Sequence, residues 1–176
     1  MSARWVHYFS DPLPEGADAK ALLGGKGASL KEMTRAGLHV PPGFTIVADC
    51  CAHYFQAGRR WPDGLEEEVA HALRRLEEET GRTYGRGSRP LLLSVRSGAA
   101  VSMPGMMDTL LNCGLHPGLA ADLGDAPRFR EAYAQFILSF ARTVDGLPPL
   151  PLHEGAGGGV VEELLEQYAK RTGKAF

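Results

Sequence analysis

Glycine and proline cut this chain into short pieces. With 22 glycines and 12 prolines among its 176 residues, it is rich in turns and loops, a pattern that suits a binding protein better than a helical bundle. The pieces between the breaks alternate between strand and helix patterns. Trp5 to Phe9 reads as a short strand stopped by Ser10-Asp11-Pro12. Gly24, Gly25 and Gly27 then crowd a point just ahead of a helical pattern of Leu30, Met33 and Thr34, which Gly37 closes. Pro41-Pro42-Gly43 turns the chain into a strand from Phe44 to Val47. Asp49 is the expected N-cap of a short helix with Tyr54 and Phe55 on its buried side.

Pro62-Asp63 opens the strongest amphipathic pattern, which runs to about Thr80. Leu65, Val69, Leu73 and Leu76 share one face; Glu66, Glu67, Glu68, Arg74, Glu77 and Glu78 form a wet face rather than an acidic ligand site. Leu91 to Val95 is an apolar run of strand length, expected to be buried. Arg96 to Asp108 has no apolar periodicity, and Thr109 to Asn112 resumes a short apolar stretch. Phe129, Tyr133, Phe136, Ile137, Phe140 and Val144 recur at helical spacing. A Pro/Gly connector from Gly146 to Gly159 precedes a last helix marked by Val160, Val161, Leu164, Leu165 and Tyr168. No internal repeat is present. The fold class is therefore α+β, with a mixed α/β front (1–113) and a helical back (114–176).

Composition narrows the function classes. The length allows one ordinary core or two small lobes. A net charge of −2 and a pI near 6.3 leave no electrostatic footprint for nucleic acid or an anionic membrane. No apolar run approaches the roughly 20 residues that span a bilayer. The N-terminal stretch lacks the apolar region and cleavage site of a secretory signal, and the Arg/Ser-rich character of a transit peptide. Cys50, Cys51 and Cys113 form no CxxC, and suggest neither a disulfide framework nor a zinc site. The expected compartment is the cytoplasm.

Two places combine glycines with a cation. In Gly24-Gly25-Lys26-Gly27, backbone N–H groups could approach an anion without Cβ obstruction, the helix start adds partial positive charge, and Lys26 supplies an ammonium. This is not a Walker A loop: Lys20 stands where its first glycine belongs, and Gly27 where Ser or Thr would meet magnesium. It also fails GxGxxG, because Leu30 occupies the last position. The plain alternative is a flexible turn with an exposed lysine. In Ser94-Val95-Arg96-Ser97-Gly98, an arginine leaves a strand into a Gly/Ser loop, where its planar fork could clamp phosphate oxygens or pair with a structural carboxylate. The loop Met103-Pro104-Gly105-Met106-Met107-Asp108 cannot be a regular helix. Its adaptable apolar side chains suit a cover over a ligand, or an ordinary packed Ω-loop.

Residues 24–46, GGKGASLKEMTRAGLHVPPGFTI, and residues 91–115, LLLSVRSGAAVSMPGMMDTLLNCGL, closely resemble two signature stretches of the pyruvate phosphate dikinases. Water dikinases and antibiotic phosphotransferases resemble the first stretch almost as well, but carry a VRSSATAEDLP-like pattern in the second. The resemblance implies an ATP-grasp-like N-terminal lobe, a mixed sheet with flanking helices, over 1–113. A helical subdomain over 114–176 follows, and the ATP-grasp fold is incomplete. It implies ATP with Mg2+ as ligand. Lys26 and Arg96 match residues that bind the ATP phosphates, and Gly105 and Thr109 match the nucleotide-covering loop and its exit.

In that family the second ATP-grasp lobe, the phosphohistidine domain, the pyruvate-binding barrel and the magnesium carboxylates lie downstream, and the full-length enzyme can be a homodimer. No catalytic residue or metal ligand is expected within these 176 residues. His7, His39, His53, His71, His116 and His153 read as surface or packing residues, and Asp108 as a candidate ligand orienter. The expected function is the ATP-binding part of a pyruvate phosphate dikinase, inactive alone. The alternatives are a non-catalytic nucleotide-binding or regulatory module, and a structural remnant whose exposed lobe surface seeks a partner.

Overall fold

A computed structural model describes residues 4–97, 109–123, 126–151 and 159–176. They form two compact units, residues 4–81 and residues 82–96 with 109–176.

In the first unit, β1 (Val6–Tyr8) pairs antiparallel with β2 (Phe44–Ile46); Val6 faces Ile46, His7 faces Thr45 and Tyr8 faces Phe44. Three helices surround this pair: α1 (Ala19–Arg35), α2 (Asp49–Gln56) and α3 (Leu65–Thr80). Side chains alternate across a strand. Val6 and Tyr8 therefore turn toward α3, where the Tyr8 hydroxyl donates to Glu79 at 2.8 Å. His7 and Thr45 turn the other way, and Thr45 lies against α1 at Gly27. Trp5, Val6, Tyr8, Leu23, Val47, Leu65 and Leu76 are buried on these layers.

The end of α1 follows the sequence reading. The Gly37 N–H reaches the Thr34 carbonyl at 3.1 Å and the Leu38 N–H reaches that of Met33 at 3.0 Å, which satisfies the last carbonyls of the helix. The helix α2 departs from it. Asp49 lies in the first turn and Ala48 is the N-cap, with no side-chain cap. Phe55 is 61% exposed, while Cys50 is the residue turned inward. In a helix of eight residues, one step of register decides which side faces the core.

The acidic face of α3 has exceptions. Glu66, Glu67, Arg74 and Glu78 are exposed as expected, but Glu77 is half-buried, and so is Glu68. Its Oε2 accepts the backbone N–H groups of Trp5 at 2.9 Å and Val6 at 2.8 Å. It thus satisfies donors at the edge of β1 that would otherwise be unpaired.

In the second unit, β3 (Leu93–Arg96) pairs antiparallel with β4 (Thr109–Cys113), and β4 packs on α5 (Ala126–Thr143). α4 (Leu119–Leu123) and α6 (Val160–Thr172) complete it. The sheets are therefore two antiparallel pairs among the described residues, with one isolated parallel bridge, Tyr84 to Leu91, in place of the mixed sheet expected.

The apolar run of 91–95 is not a fully buried strand: Leu91 is buried, but Val95 is 52% exposed. The register shifts between Leu93 and Val95, and Asn112 in β4 has φ 60. Asparagine tolerates that left-handed conformation. Alternation is broken there, so Leu110 and Cys113, three apart, both turn inward.

The core of this unit is aromatic. Phe129, Tyr133, Phe136 and Ile137 are buried along α5 as the periodicity required, while Val144, one residue past the helix, is 55% exposed. Phe176 places its ring 5.0–6.1 Å from those of Tyr133, Phe136, Phe140 and Tyr168. By contact, β3 and β4 group with these helices rather than with the front of the chain. Among the described residues no helix is long and apolar enough to cross a membrane.

Candidate functional site

The glycine cluster sits where one helix stops and another starts. Asp18 caps α1, its Oδ1 accepting the N–H groups of Lys20 at 2.8 Å and Ala21 at 3.3 Å. The helix therefore begins ahead of the glycine cluster rather than after it. At Gly24 the backbone turns to φ 70, ψ 169, a region essentially reserved for glycine, and the helix resumes at Gly25. The break creates a second N-terminus inside α1. The first N–H groups of a helix have no partner within it, and they carry the positive end of its dipole.

Lys26 lies in this new first turn. Its side chain is half-buried, and no hydrogen bond or ion pair holds its ammonium among the described residues. Among the described residues, a Cβ at Gly25 would meet nothing within 4 Å. The expected glycine-plus-lysine helix head is thus present as local geometry.

Arg96 and Thr109 form the last cross-strand pair of β3 and β4. Arg96 is exposed and, among the described residues, its guanidinium has no partner; Thr109 is half-buried. The structure brings these two candidates together, and they belong to the second unit while Lys26 belongs to the first. Gly105, Asp108 and the rest of the Met-rich loop lie outside the described residues.

An ion cluster that the sequence did not announce occupies the outer side of β1. A cavity of about 310 Å³ there is lined by Arg4, Tyr8, Asp11, Glu68, His71 and Arg75, among others. Asp11 accepts from Arg4 at 2.5 Å and Arg75 at 2.6 Å, and the Arg75 guanidinium lies 3.8 Å from the Tyr8 ring centroid. Burial opposes ionisation of Asp11, but the two arginines outweigh it and hold its carboxyl below the ordinary range. Burial and the bond to Glu79 push the Tyr8 phenol up.

Lys31 donates to the Tyr8 carbonyl at 3.1 Å, to that of Phe9 at 3.3 Å and to that of Asp11, and burial lowers its pKa. The two arginines answer Asp11 and backbone carbonyls hold Lys31, so the cluster pins the end of β1. Nothing in the local sequence marks it, because its members come from three distant segments.

Among the described residues no three His, Cys, Asp or Glu side chains gather to hold a metal ion. Cys50, Cys51 and Cys113 are free thiols.

Comparison with known proteins gives these geometries a family. The sequence signature described as pyruvate phosphate dikinase, AMP/ATP-binding domain, matches residues 20–60, which contain the whole of α1 from Lys20, β2 and α2. The pyruvate, phosphate dikinase of Rhizobium meliloti (strain 1021) is 47% identical over 97% of this chain. By sequence, the chain corresponds to an N-terminal segment of the pyruvate phosphate dikinases. Pyruvate, phosphate dikinase 2 of Zea mays is 46% identical over 98% of the chain, and the Giardia intestinalis pyruvate, phosphate dikinase 47% over 84%. The chain spans only 17–19% of the length of these dikinases. The match to the dikinase signature covers the kink at Gly24 and the strand under it, whereas β3, β4 and the helices behind them are covered by the similarity to the whole dikinases.

Proposed function

We propose that this chain is the nucleotide-phosphate-binding part of a pyruvate phosphate dikinase, the enzyme that converts ATP, pyruvate and phosphate to AMP, phosphoenolpyruvate and diphosphate. The observation that carries the reading is the interrupted helix α1, with Lys26, unpartnered among the described residues, in its second first turn, inside the stretch that matches the family's AMP/ATP-binding domain. In this reading 1–113 supplies the first lobe of an ATP-grasp fold and 114–176 a helical subdomain, a family division that need not follow the compact packing units. The compartment is the cytoplasm, and any homodimer belongs to the full-length enzyme.

The chemistry follows from charge. Phosphoryl transfer spreads negative charge over the oxygens of the transferred group, so catalysis rests on positioning and fixed positive charge. Lys26 would bring an ammonium point charge, and the N–H groups of the opened helix would bring neutral donors. Arg96 would bring a planar fork able to hold two oxygens at once. Thr109, opposite Arg96, stands at the exit of the loop that contains Gly105, and in this reading that loop covers the nucleotide. Magnesium, when bound, neutralises phosphate charge. The described residues do not provide its carboxylates, and we assign them, with the phosphoryl-accepting histidine, to domains outside these 176 residues.

Calorimetric titration of the chain with ATP tests the reading. Weak but saturable binding is expected, reduced at least about tenfold by Lys26→Ala, as for loss of one charge-assisted contact. Equal ATP binding by native protein and Lys26→Ala would overturn it. A coupled assay with pyruvate and phosphate is expected to show no turnover by the chain alone.

A further inference from the structure

The turn that carries Lys26 has a seat. A Cβ at Gly27 would stand 2.9 Å from Thr45 Oγ1, closer than real Cβ atoms come, and 3.0 Å from both Thr45 Cγ2 and Leu23 Cβ. The backbone of residue 27 therefore rests directly on the Thr45 side chain. Two residues earlier, no described residue comes within 4 Å of a Cβ built at Gly25. The turn is thus fixed on its inner side and, among the described residues, open on its outer side, with Lys26 between.

Its other supports are equally local. Ahead of the kink, the Leu22 carbonyl accepts the Ala48 N–H at 2.9 Å, which ties α1 to the chain just after β2. Beneath, Thr45 is held in register by its pairing with His7, a residue only 3% exposed. Between the turn and the strand below it, the closest approach is Gly27 on Thr45.

We propose that Thr45 is a positioning residue for nucleotide phosphate binding, acting through Gly27 to set where the Lys26 ammonium stands. The proposal rests on the reading of Lys26 as a phosphate ligand. A charge-assisted hydrogen bond needs its heavy atoms about 2.7–2.9 Å apart, so a shift of the turn by a fraction of an ångström weakens it. Misplacement by about 1 Å can cost on the order of a hundredfold in function. A methyl at Gly27 must push the turn off Thr45. Removing the γ atoms of Thr45 relieves two of the three close contacts and leaves Leu23 Cβ at 3.0 Å, so the two changes compensate in part when combined.

The test is ATP titration of the native chain, Gly27→Ala, Thr45→Ala, their double variant, and each of these in a Lys26→Ala background, with thermal unfolding alongside. Gly27→Ala is expected to weaken ATP binding at least about tenfold, the double variant to recover part of that loss, and Gly27→Ala to cost nothing further once Lys26 is alanine. A loss through general destabilisation would persist in the Lys26→Ala background and would overturn the proposal. So would native affinity in a folded Gly27→Ala protein. If Gly27→Ala does not fold, Thr45→Ala decides on the same terms: a several-fold loss that vanishes without Lys26 supports the seat, and no loss overturns it. Failure of the native chain to bind ATP, or equal binding after Lys26→Ala, removes the phosphate reading and the seat with it. Failure of the seat alone leaves the Lys26 effect intact.

Discussion

Arg96 and Thr109 face each other across the β3–β4 ladder, at the point where both strands leave the described structure. The pairing fixes the two ends of the intervening loop side by side. It also leaves the Arg96 guanidinium exposed and, among the described residues, without a carboxylate. Such an arginine contributes little to stability, since nothing is lost when it is removed. Arg96→Ala is therefore expected to leave the melting temperature within about a degree or two while lowering ATP affinity about ten- to a hundredfold, the worth of a charge-assisted contact. Arg96→Lys keeps the charge and loses the fork, and should fall between. Paired calorimetry and thermal melts check this.

Glu68 serves backbone rather than ligand. Glu68→Ala strips the N–H groups of Trp5 and Val6 of their shared acceptor. The expected cost is about 1–3 kcal/mol, because donors left without a partner lose more than a bond's net worth. Denaturant unfolding measures it, and ATP affinity relative to the fraction folded should not change.

His7 makes stability depend on pH. Burial, then the nearby Arg4 and Lys31, lower its pKa, against weaker opposite effects of Asp11 and Glu68. The unfolded chain then takes up the proton first, at about pH 6.5. Between that value and the lower folded pKa the unfolded state binds more protons, so stability falls as pH falls, and levels off below the folded pKa. Asp11, whose folded pKa is also depressed, adds a second loss at lower pH, from the ordinary carboxylate range down through its folded value. Unfolding free energies measured across this range should decline in two steps, and His7→Gln should flatten the first.

Ile137 and Leu164 are fully buried in the second unit. Ile137→Ala or Leu164→Ala should cost about 2–5 kcal/mol, by lost burial and the cavity left behind. Urea unfolding would read it directly.

The elements most legible in the sequence were those with long periodic patterns. Leu65, Leu73 and Leu76 on α3, and Phe129, Tyr133, Phe136 and Ile137 on α5, repeat over enough turns for the face to be unambiguous. The short pieces were less so. In α2, the position of Asp49 and the outward turn of Phe55 were misread, because eight residues contain too few repeats to fix the register. Val95 was expected to be buried, but a register shift and the φ of Asn112 lie outside what apolar runs encode. At the site, Lys26 and Arg96 were marked by their glycine-rich neighbours. Thr45 was not, because what singles it out is the proximity of Gly27 across 18 positions of chain.

Asp11 holds two guanidinium groups and, through its carbonyl, the Lys31 ammonium, all at the end of one three-residue strand. A knot of charges responds to ions as well as to solvent quality. Guanidinium chloride brings both a competing cation of the same shape as Arg4 and Arg75 and molar salt, in which the screening length shrinks to about 3 Å. Urea brings neither. The strand end is thus open to one common denaturant by a route the other lacks, and the choice between them becomes a probe of β1.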